Sequence, residues 1–370
     1  MRNILLNPGP VSLSEKVRRA AVAVDLCHRE AEYFELQDRI RSGLLDVYGL
    51  DQAHWRAVLL AGSGTAAVEA ILSSLVPGDG RLLIIQNGVY GERMTRIAAI
   101  HGLAHQAIDL QWGAEIDPAQ VEQLVKQGDF SHLAMVHHET TTGRLNDLDA
   151  ISQICSDHQL QLILDGVSSF GAEDIPFTND GLVAVAGTAN KCLHGIPSLS
   201  FAVCRTDCIK QAVSPPRSLY LDLAEYNRLQ DQQSTPFTPG TNACLALDAA
   251  LQELADEGGW HARRTHYRKR QQQIFRKLEH LGVEPLMSRN ESSAVLRSYY
   301  LPRGIGYKTL HDRLKIHGFI IYAGQGGLAD KLFRISAMGE ITEYDMSRLE
   351  GALESSIRGA KIGHLHSVED

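Results

Sequence analysis

The chain has 370 residues, of which 44% are hydrophobic and 22% charged, and carries a formal net charge of −8. That length suits two domains with a large core, and an acidic balance without a basic, aromatic-interleaved patch argues against nucleic acid as a partner. The apolar runs are strand-sized, short of the ~18 residues a membrane helix needs, and the N-terminus turns polar and Pro-rich too soon for a signal peptide. Six scattered cysteines and sixteen dispersed histidines complete no zinc pattern, so a reduced, cytoplasmic enzyme with no metal and no membrane partner is the expectation.

After Asn7-Pro8-Gly9-Pro10 the spacing predicts a helix over 14–24 with Ser14 as N-cap. Asp25-Leu26-Cys27-His28-Arg29-Glu30 interrupts it, and an amphipathic helix resumes over 32–48 on Phe34, Ile40, Leu44, Leu45 and Tyr48. A strand over 57–60 then runs into Ala61-Gly62-Ser63-Gly64-Thr65 and a helix. Two glycines and two hydroxyls at such a junction can cradle an anion: the backbone approaches closely, Ser63 and Thr65 donate, and the helix's first N–H groups face a phosphate. Serine and threonine are also ordinary helix caps.

The next strand, 81–85, ends at Asn87-Gly88-Val89-Tyr90-Gly91, where an aromatic between glycines either lies flat on a cofactor ring or packs in a turn. A strand over 132–137 enters Glu139-Thr140-Thr141-Thr142-Gly143, a hydroxyl-rich loop poor as helix and as core, and a helix follows over 146–158. His137 and His138 are metal ligands by type, but neighbours in a strand point to opposite faces.

The strand over 160–164 ends in Asp165, and the buried strand over 182–186 runs into Gly187-Thr188-Ala189-Asn190-Lys191. A lone lysine at a loop end is ordinarily a solvated one. Directly after core, however, partial burial lowers an ammonium's pKa, and a neutral amine is what attacks a carbonyl. A strand-end carboxylate followed 26 residues later by a strand-end lysine fits pyridoxal 5′-phosphate, which needs an acid partner for its ring nitrogen and an amine for its aldehyde. An apolar strand over 198–204 completes a strand–loop–helix rhythm from about 55 to 205. The fold class is therefore α/β, a mostly parallel sheet between helices, with polar loops gathered after the strands where such sheets bind ligands.

Residues 215–240 lose periodicity and carry Pro215, Pro216, Pro236 and Pro239, and Thr238 and Thr241 belong to a second hydroxyl-rich loop. Helices are predicted over 242–257 and 261–281, the second with a basic run that reads as a solvated face. Residues 282–358 read as a smaller α+β unit with strands over 294–300 and 319–322, helices over 308–317 and 343–357, and the short strand Leu332-Phe333-Arg334-Ile335-Ser336. An arginine in that apolar frame requires an anion, either a ligand or a structural carboxylate. The expected organisation is an N-terminal segment over 1–15 contributing to the active site and small domain, a large cofactor-binding domain over 16–257, a small domain over 258–360 and a polar tail over 361–370.

These motifs resemble the class V, fold-type I PLP-dependent aminotransferases, and among them the 2-aminoethylphosphonate–pyruvate transaminase family. The resemblance runs from Asn7-Pro8-Gly9-Pro10 to Phe333-Arg334-Ile335 and is most specific at Gly62-Ser63-Gly64-Thr65, Asn87-Gly88-Val89-Tyr90-Gly91, Glu139-Thr140-Thr141-Thr142-Gly143, Asp165-Gly166-Val167-Ser168-Ser169-Phe170-Gly171 and Ala189-Asn190-Lys191-Cys192. It implies a seven-stranded-type sheet sandwiched by helices plus a smaller C-terminal domain. It implies further that Lys191 bonds the cofactor and shuttles a proton, and that Asp165 holds the ring nitrogen protonated. Ser63, Gly64, Thr65 and Thr188 would hold the phosphate, Tyr90 and Val167 would cover the two ring faces, and Thr140 would reach the phenolic oxygen. Thr238, with Thr241, would reach the phosphate of the partner subunit's cofactor, which requires a homodimer. Arg334 would bind the carboxylate or phosphonate of the small-molecule amine and 2-oxo acid substrates, with Gly9, Pro10, His28 and Arg29 on the substrate side and His194 as a further cation.

The chain departs from the family at Ser336-Ala337, where Gly-Asn is common, at Leu26 to Glu30, where a Trp-containing run is common, and at Pro197-Ser198 in place of Pro-Gly. An alanine–glyoxylate or serine–pyruvate aminotransferase is the alternative, because Lys191, Asp165 and Arg334 would serve it equally. A desulfurase would need a cysteine within 323–330, and there is none.

Overall fold

Seven strands line up as one sheet in the computed structural model, which describes residues 3–363 and leaves almost all of the expected 361–370 tail outside the described residues. The strands are β1 (Trp55–Ala61), β2 (Arg81–Gln86), β3 (Ala104–Asp109), β4 (His132–Val136), β5 (Gln161–Asp165), β6 (Leu182–Thr188) and β7 (Leu199–Arg205). They lie in the order β1-β7-β6-β5-β4-β2-β3. β7 is antiparallel to both of its neighbours and the other pairs are parallel. A parallel sheet is covered on both faces, so its central strands read as continuous apolar runs rather than alternating ones; β4 and β6 are buried along their whole length.

Side chains still alternate between two cores. Val185 and Phe201 face one cluster with Ile40, Leu133, Leu164 and Leu247, while Ala184 and Ala202 face the other with Val58, Ile71 and Ile163. Helices α1 (Gly64–Leu75) and α2 (Val89–Ile100) follow β1 and β2. Because the parallel strands share a direction, the loops after β1, β2, β4, β5 and β6 emerge along one edge of the sheet.

A second, three-stranded sheet is formed by β8 (Leu296–Tyr300), β9 (Tyr322–Ala323) and β10 (Leu332–Ser336), in the order β8-β10-β9. It packs with the helices Gly259–His280, Tyr307–Ile316 and Glu343–Gly363 over a core that includes Leu278, Leu310, Phe333 and Leu353. The N-terminal strand Ile4–Leu5 pairs in parallel with Phe319–Ile320. Among the described residues no helix is long and apolar enough to cross a membrane, and no group of three or more His, Cys, Asp or Glu side chains could hold a metal ion.

The structure differs from the sequence reading in several places. β3 is an edge strand in which only Ile108 is buried, so it has no apolar run to announce it. The stretch 215–240 contains a helix, Leu223–Asp231, capped by the Asp222 side chain accepting from Glu225 N–H. Its buried face is Leu223, Tyr226 and Gln230, and Gln230 is satisfied by the N–H and C=O of Leu59, so a polar residue occupies an inward position. The first helix stops at Ala20 rather than Val24, since Val22 and Val24 stand 80% and 51% exposed with nothing to pack on. The run over 319–322 is two strands of two different sheets, divided at the buried Ile321.

β6 carries the loop of Lys191, and its packing allows no side chain at Gly187, where a Cβ would lie 2.2 Å from the Phe201 ring. Gly187→Ala should therefore destabilise the protein by about 1–3 kcal/mol through overpacking. Denaturant unfolding of the two proteins side by side measures it, and an unchanged midpoint would contradict this account.

Candidate active site

Four strand ends and the loops after them bring Ser63, Gly64, Thr65, Tyr90, Arg93, Asp165, Val167, Thr188, Asn190 and Lys191 around one cleft. The lysine loop is held to the sheet by Ala189 N–H on Leu199 C=O (3.0 Å) and Gly195 N–H on Ala189 C=O (2.7 Å). Lys191 is only 9% exposed. Its Nζ lies 2.7 Å from Ser168 Oγ, to which it donates, and 5.6 Å from the centre of the Tyr90 ring. From the other side the N-terminal segment lies on the lysine stem. Gly9 has φ +118°, and a Cβ there would sit 3.2 Å from Lys191 Cγ and 3.3 Å from Asn190 C=O, so only glycine permits that approach.

Asp165 ends β5, buried, with Oδ1 accepting from Val167 N–H at 3.0 Å. Burial pushes its carboxyl above the usual range, and the Lys191 and Arg93 cations pull it back. Tyr90 sits in the first turn of α2, where its N–H and that of Gly91 donate to Glu139 Oε2 (3.2 and 3.4 Å). Glu139 Oε1 accepts from Thr141 N–H (3.1 Å) and Thr141 Oγ1 (2.6 Å). A carboxylate at a helix N-terminus is well placed for the orphan N–H groups and the dipole. Gly88 makes room for it, since a Cβ there would fall 2.3 Å from Glu139 Cδ.

The donors left over match pyridoxal phosphate. Thr140 Oγ1 is buried with no partner, a state that buried hydroxyls rarely keep, and it suits the phenolic oxygen. Ser63 stands at the N-cap of α1 without capping it, so its hydroxyl is free for a phosphate at a helix N-terminus. Arg93 donates to Thr65 Oγ1 at 3.0 Å and lies 4.7 Å over the Tyr90 ring, adding a cation at that end. Gly64 packs on Val167 so closely that a Cβ would be 2.6 Å from it, which sets the floor opposite Tyr90. Thr188 Oγ1 already donates to Asn190 Oδ1 (2.8 Å) and Leu199 C=O (3.2 Å).

Arg334, on β10 and 3% exposed, reaches the same region. Its Nε donates to Ala323 C=O (2.8 Å), and its Nη1 donates to Thr140 C=O (2.8 Å) and Gln325 Oε1 (3.3 Å). The arginine that the sequence leaves between ligand and structural carboxylate is thus anchored by neutral carbonyls, with its charge unpaired.

Other expected residues lie elsewhere in the chain. Thr238 is exposed and borders a separate depression with Tyr33, Leu59 and Phe237, and Thr241 opens the helix Thr241–Asp256. His28 is half-buried and Arg29 exposed, ahead of the helix Ala31–Asp46, and neither lines the cleft. His194 is not a cation for the substrate. Its Nε2 accepts from Gly339 N–H (2.8 Å) and meets Tyr267 OH at 2.5 Å, and burial together with Arg263 and Arg270 holds the ring well below its usual pKa.

Arg93, Glu139, Ser168 and Gln325 were missed by the sequence reading. Arg93 alone had a usable signal, lying one helical turn after Tyr90 on the same face.

Residues 17–325 match the family model described as aminotransferase class-V. A 2-aminoethylphosphonate–pyruvate transaminase from Aeromonas hydrophila is 37% identical, over 95% of this chain and 94% of its own length. One from Bacillus cytotoxicus is 32% identical, over 96% of this chain and 98% of its own. Among solved structures, a subgroup IV aspartate aminotransferase from Thermus thermophilus superposes with a TM-score of 0.88 at 28% identity, covering 97% of this chain and all of that one (100%). With its lysine, carboxylate and phosphate cradle on one sheet edge, the chain belongs to the class V aminotransferases.

Proposed function

We propose that this aminotransferase moves the amino group of 2-aminoethylphosphonate to pyruvate, or in reverse, at a cleft shared between two copies of the chain. The supporting observation is the buried guanidinium of Arg334, which among the described residues is held by neutral carbonyl and amide oxygens, one of them the carbonyl of Thr140. The relatives of similar length that carry that activity in their names supply the substrate class.

When bound, pyridoxal phosphate supplies an aldehyde that takes up amines and a ring that accepts the electron pair released from the amine-bearing carbon. Lys191 Nζ, kept from water by Tyr90 and Gly9, is the nucleophile for that aldehyde. Once free, it would take a proton from the substrate's amine-bearing carbon and deliver it to the carbon that had been the cofactor's aldehyde. Ser168 Oγ holds the amine within reach between those steps. Asp165 keeps a negative charge against the ring nitrogen, so the ring stays protonated and electron-withdrawing. Arg334 orients the acidic end of the substrate away from the lysine.

A second reading, an aminotransferase whose amine and oxo substrates both end in carboxylates, has Arg334 itself in its favour. With Nε and Nη1 occupied, only the two N–H groups of Nη2 remain, a donor set smaller than the three oxygens of a phosphonate call for. Single-turnover conversion of the cofactor form with 2-aminoethylphosphonate, alanine and serine separates the readings. Rapid conversion by the phosphonate is expected, and conversion by alanine or serine alone would rule the phosphonate out.

Lys191→Ala should abolish turnover and the cofactor's covalent attachment while leaving the fold intact. Borohydride reduction followed by peptide mass mapping should find the label on Lys191 and nowhere else.

The shared cleft rests on Thr238. It is exposed beside a stacked pair, Tyr220 and Phe237 (ring centres 4.8 Å apart), and Leu219, next to Tyr220 in sequence, is 84% exposed. Thr238→Ala should weaken cofactor retention by about 1.5–3 kcal/mol, the range for one hydrogen bond to a charged group. Sedimentation should show a dimer that cofactor stabilises, and a monomer with full cofactor occupancy would disprove the arrangement.

A further inference from the structure

Arg334 keeps two N–H donors for the three oxygens that a phosphonate presents, and the structure offers a neighbour that can add to them. A guanidinium has five N–H donors. Nε is taken by Ala323 C=O, and Nη1 by Thr140 C=O and Gln325 Oε1, so the pair on Nη2 remains. Because Arg334 can only donate, the oxygen of the Gln325 amide must face it, which fixes the amide's orientation. Gln325 Nε2 then carries two donors on the same amide that meets the guanidinium.

Gln325 is not loosely attached. It begins the loop between β9 and β10, where Gly324 N–H donates to Leu332 C=O (2.8 Å) and Leu328 N–H donates to Gln325 C=O (2.9 Å). A Cβ on Gly326 would fall 2.7 Å from the Trp112 ring, so the loop lies against that indole. Across β8 a second unmet donor is present: Ser298 is paired with Arg334 in the sheet register, and its buried Oγ has no partner. Residues directly opposite in a sheet share a face.

We propose that Gln325 is a specificity-determining residue, whose Nε2 binds the third oxygen of a phosphonate held on Arg334. This rests on the phosphonate reading above. A carboxylate has two oxygens to satisfy where a phosphonate has three, so it asks less of the donors around Arg334 and the amide contributes less to it. A phosphonate lacking the amide would keep one oxygen unpaired in a largely buried site, and unpaired polar groups are what sites of this kind reject.

The test compares the parent holoenzyme with Gln325→Ala and Gln325→Glu, using single-turnover kcat/KM for 2-aminoethylphosphonate and for L-alanine. Gln325→Ala should lose about tenfold or more with the phosphonate, the range for a hydrogen bond to a charged group, and clearly less with alanine. Gln325→Glu keeps an oxygen on Arg334 Nη1 but replaces the donors with negative charge, so its phosphonate loss should be the larger of the two. Calorimetric binding of methylphosphonate should weaken by a similar factor while acetate binding changes less. Equal losses for both amines would mean that Gln325 only supports Arg334, and would overturn the proposal, as would an unchanged ratio. A parent enzyme active with alanine and inert with 2-aminoethylphosphonate would instead overturn the phosphonate reading, and this inference with it.

Discussion

One buried carboxylate joins the parts of this cleft. Glu139 accepts four hydrogen bonds, from Tyr90 and Gly91 at the start of α2 and from the backbone and hydroxyl of Thr141. Burying a lone carboxylate costs several kcal/mol, and only a full set of donors offsets it. Burial raises the Glu139 pKa, and the Thr141 and Gly91 bonds oppose that rise. Because the donors come from two loops, their relative position is fixed: the ring of Tyr90 stands over the cleft, Thr140 is set beside it, and the Thr140 carbonyl receives Arg334. Substrate anchor, ring cover and phenolic contact are thereby referred to the same group.

The lysine has its own frame. Behind it, Arg263 is 1% exposed and donates to Cys192 C=O (2.8 Å) while both remaining arms clamp Glu257 (2.9 and 2.8 Å). His194, with φ +64°, closes the turn by accepting from Gly339. These contacts come from the helix Gly259–His280 and from the segment after β10, so the reacting amine is positioned from both halves of the chain. The electrostatics follow from the same arrangement. Asp165 lies deep enough for burial to raise its pKa, and the Val167 N–H bond with the Lys191 and Arg93 cations opposes that rise.

How much of this was legible in the sequence depends on how far apart the cooperating residues lie. Lys191 and Asp165 each follow an apolar strand directly, so strand ends were enough to find them, and the glycine-and-hydroxyl loop at Ser63 announced a phosphate site in the same way. Glu139 lies 49 residues from Tyr90, and nothing in a linear reading distinguishes it from a solvated loop carboxylate. Ser168 and Gln325 are ordinary polar residues until Lys191 and Arg334 are set beside them. His194 was misread because proximity to the lysine in sequence suggested proximity to the substrate, whereas its left-handed backbone turns the ring away into the protein. β3 was missed for the complementary reason, since an edge strand that buries one side chain leaves no hydrophobic trace.

The route of the first residues has a mechanical meaning. Leu5 is hydrogen-bonded into a strand pair with Phe319–Ile320, on the C-terminal side of the molecule, while Gly9 rests on the stem of Lys191. Only four residue steps separate those two anchors, and a fully extended chain spans at most ~3.6 Å per step, about 14 Å in all. The N-terminus is therefore a short tether. The edge of the C-terminal unit cannot lie further than that from the lysine without breaking the strand pair or lifting the glycine off the lysine stem.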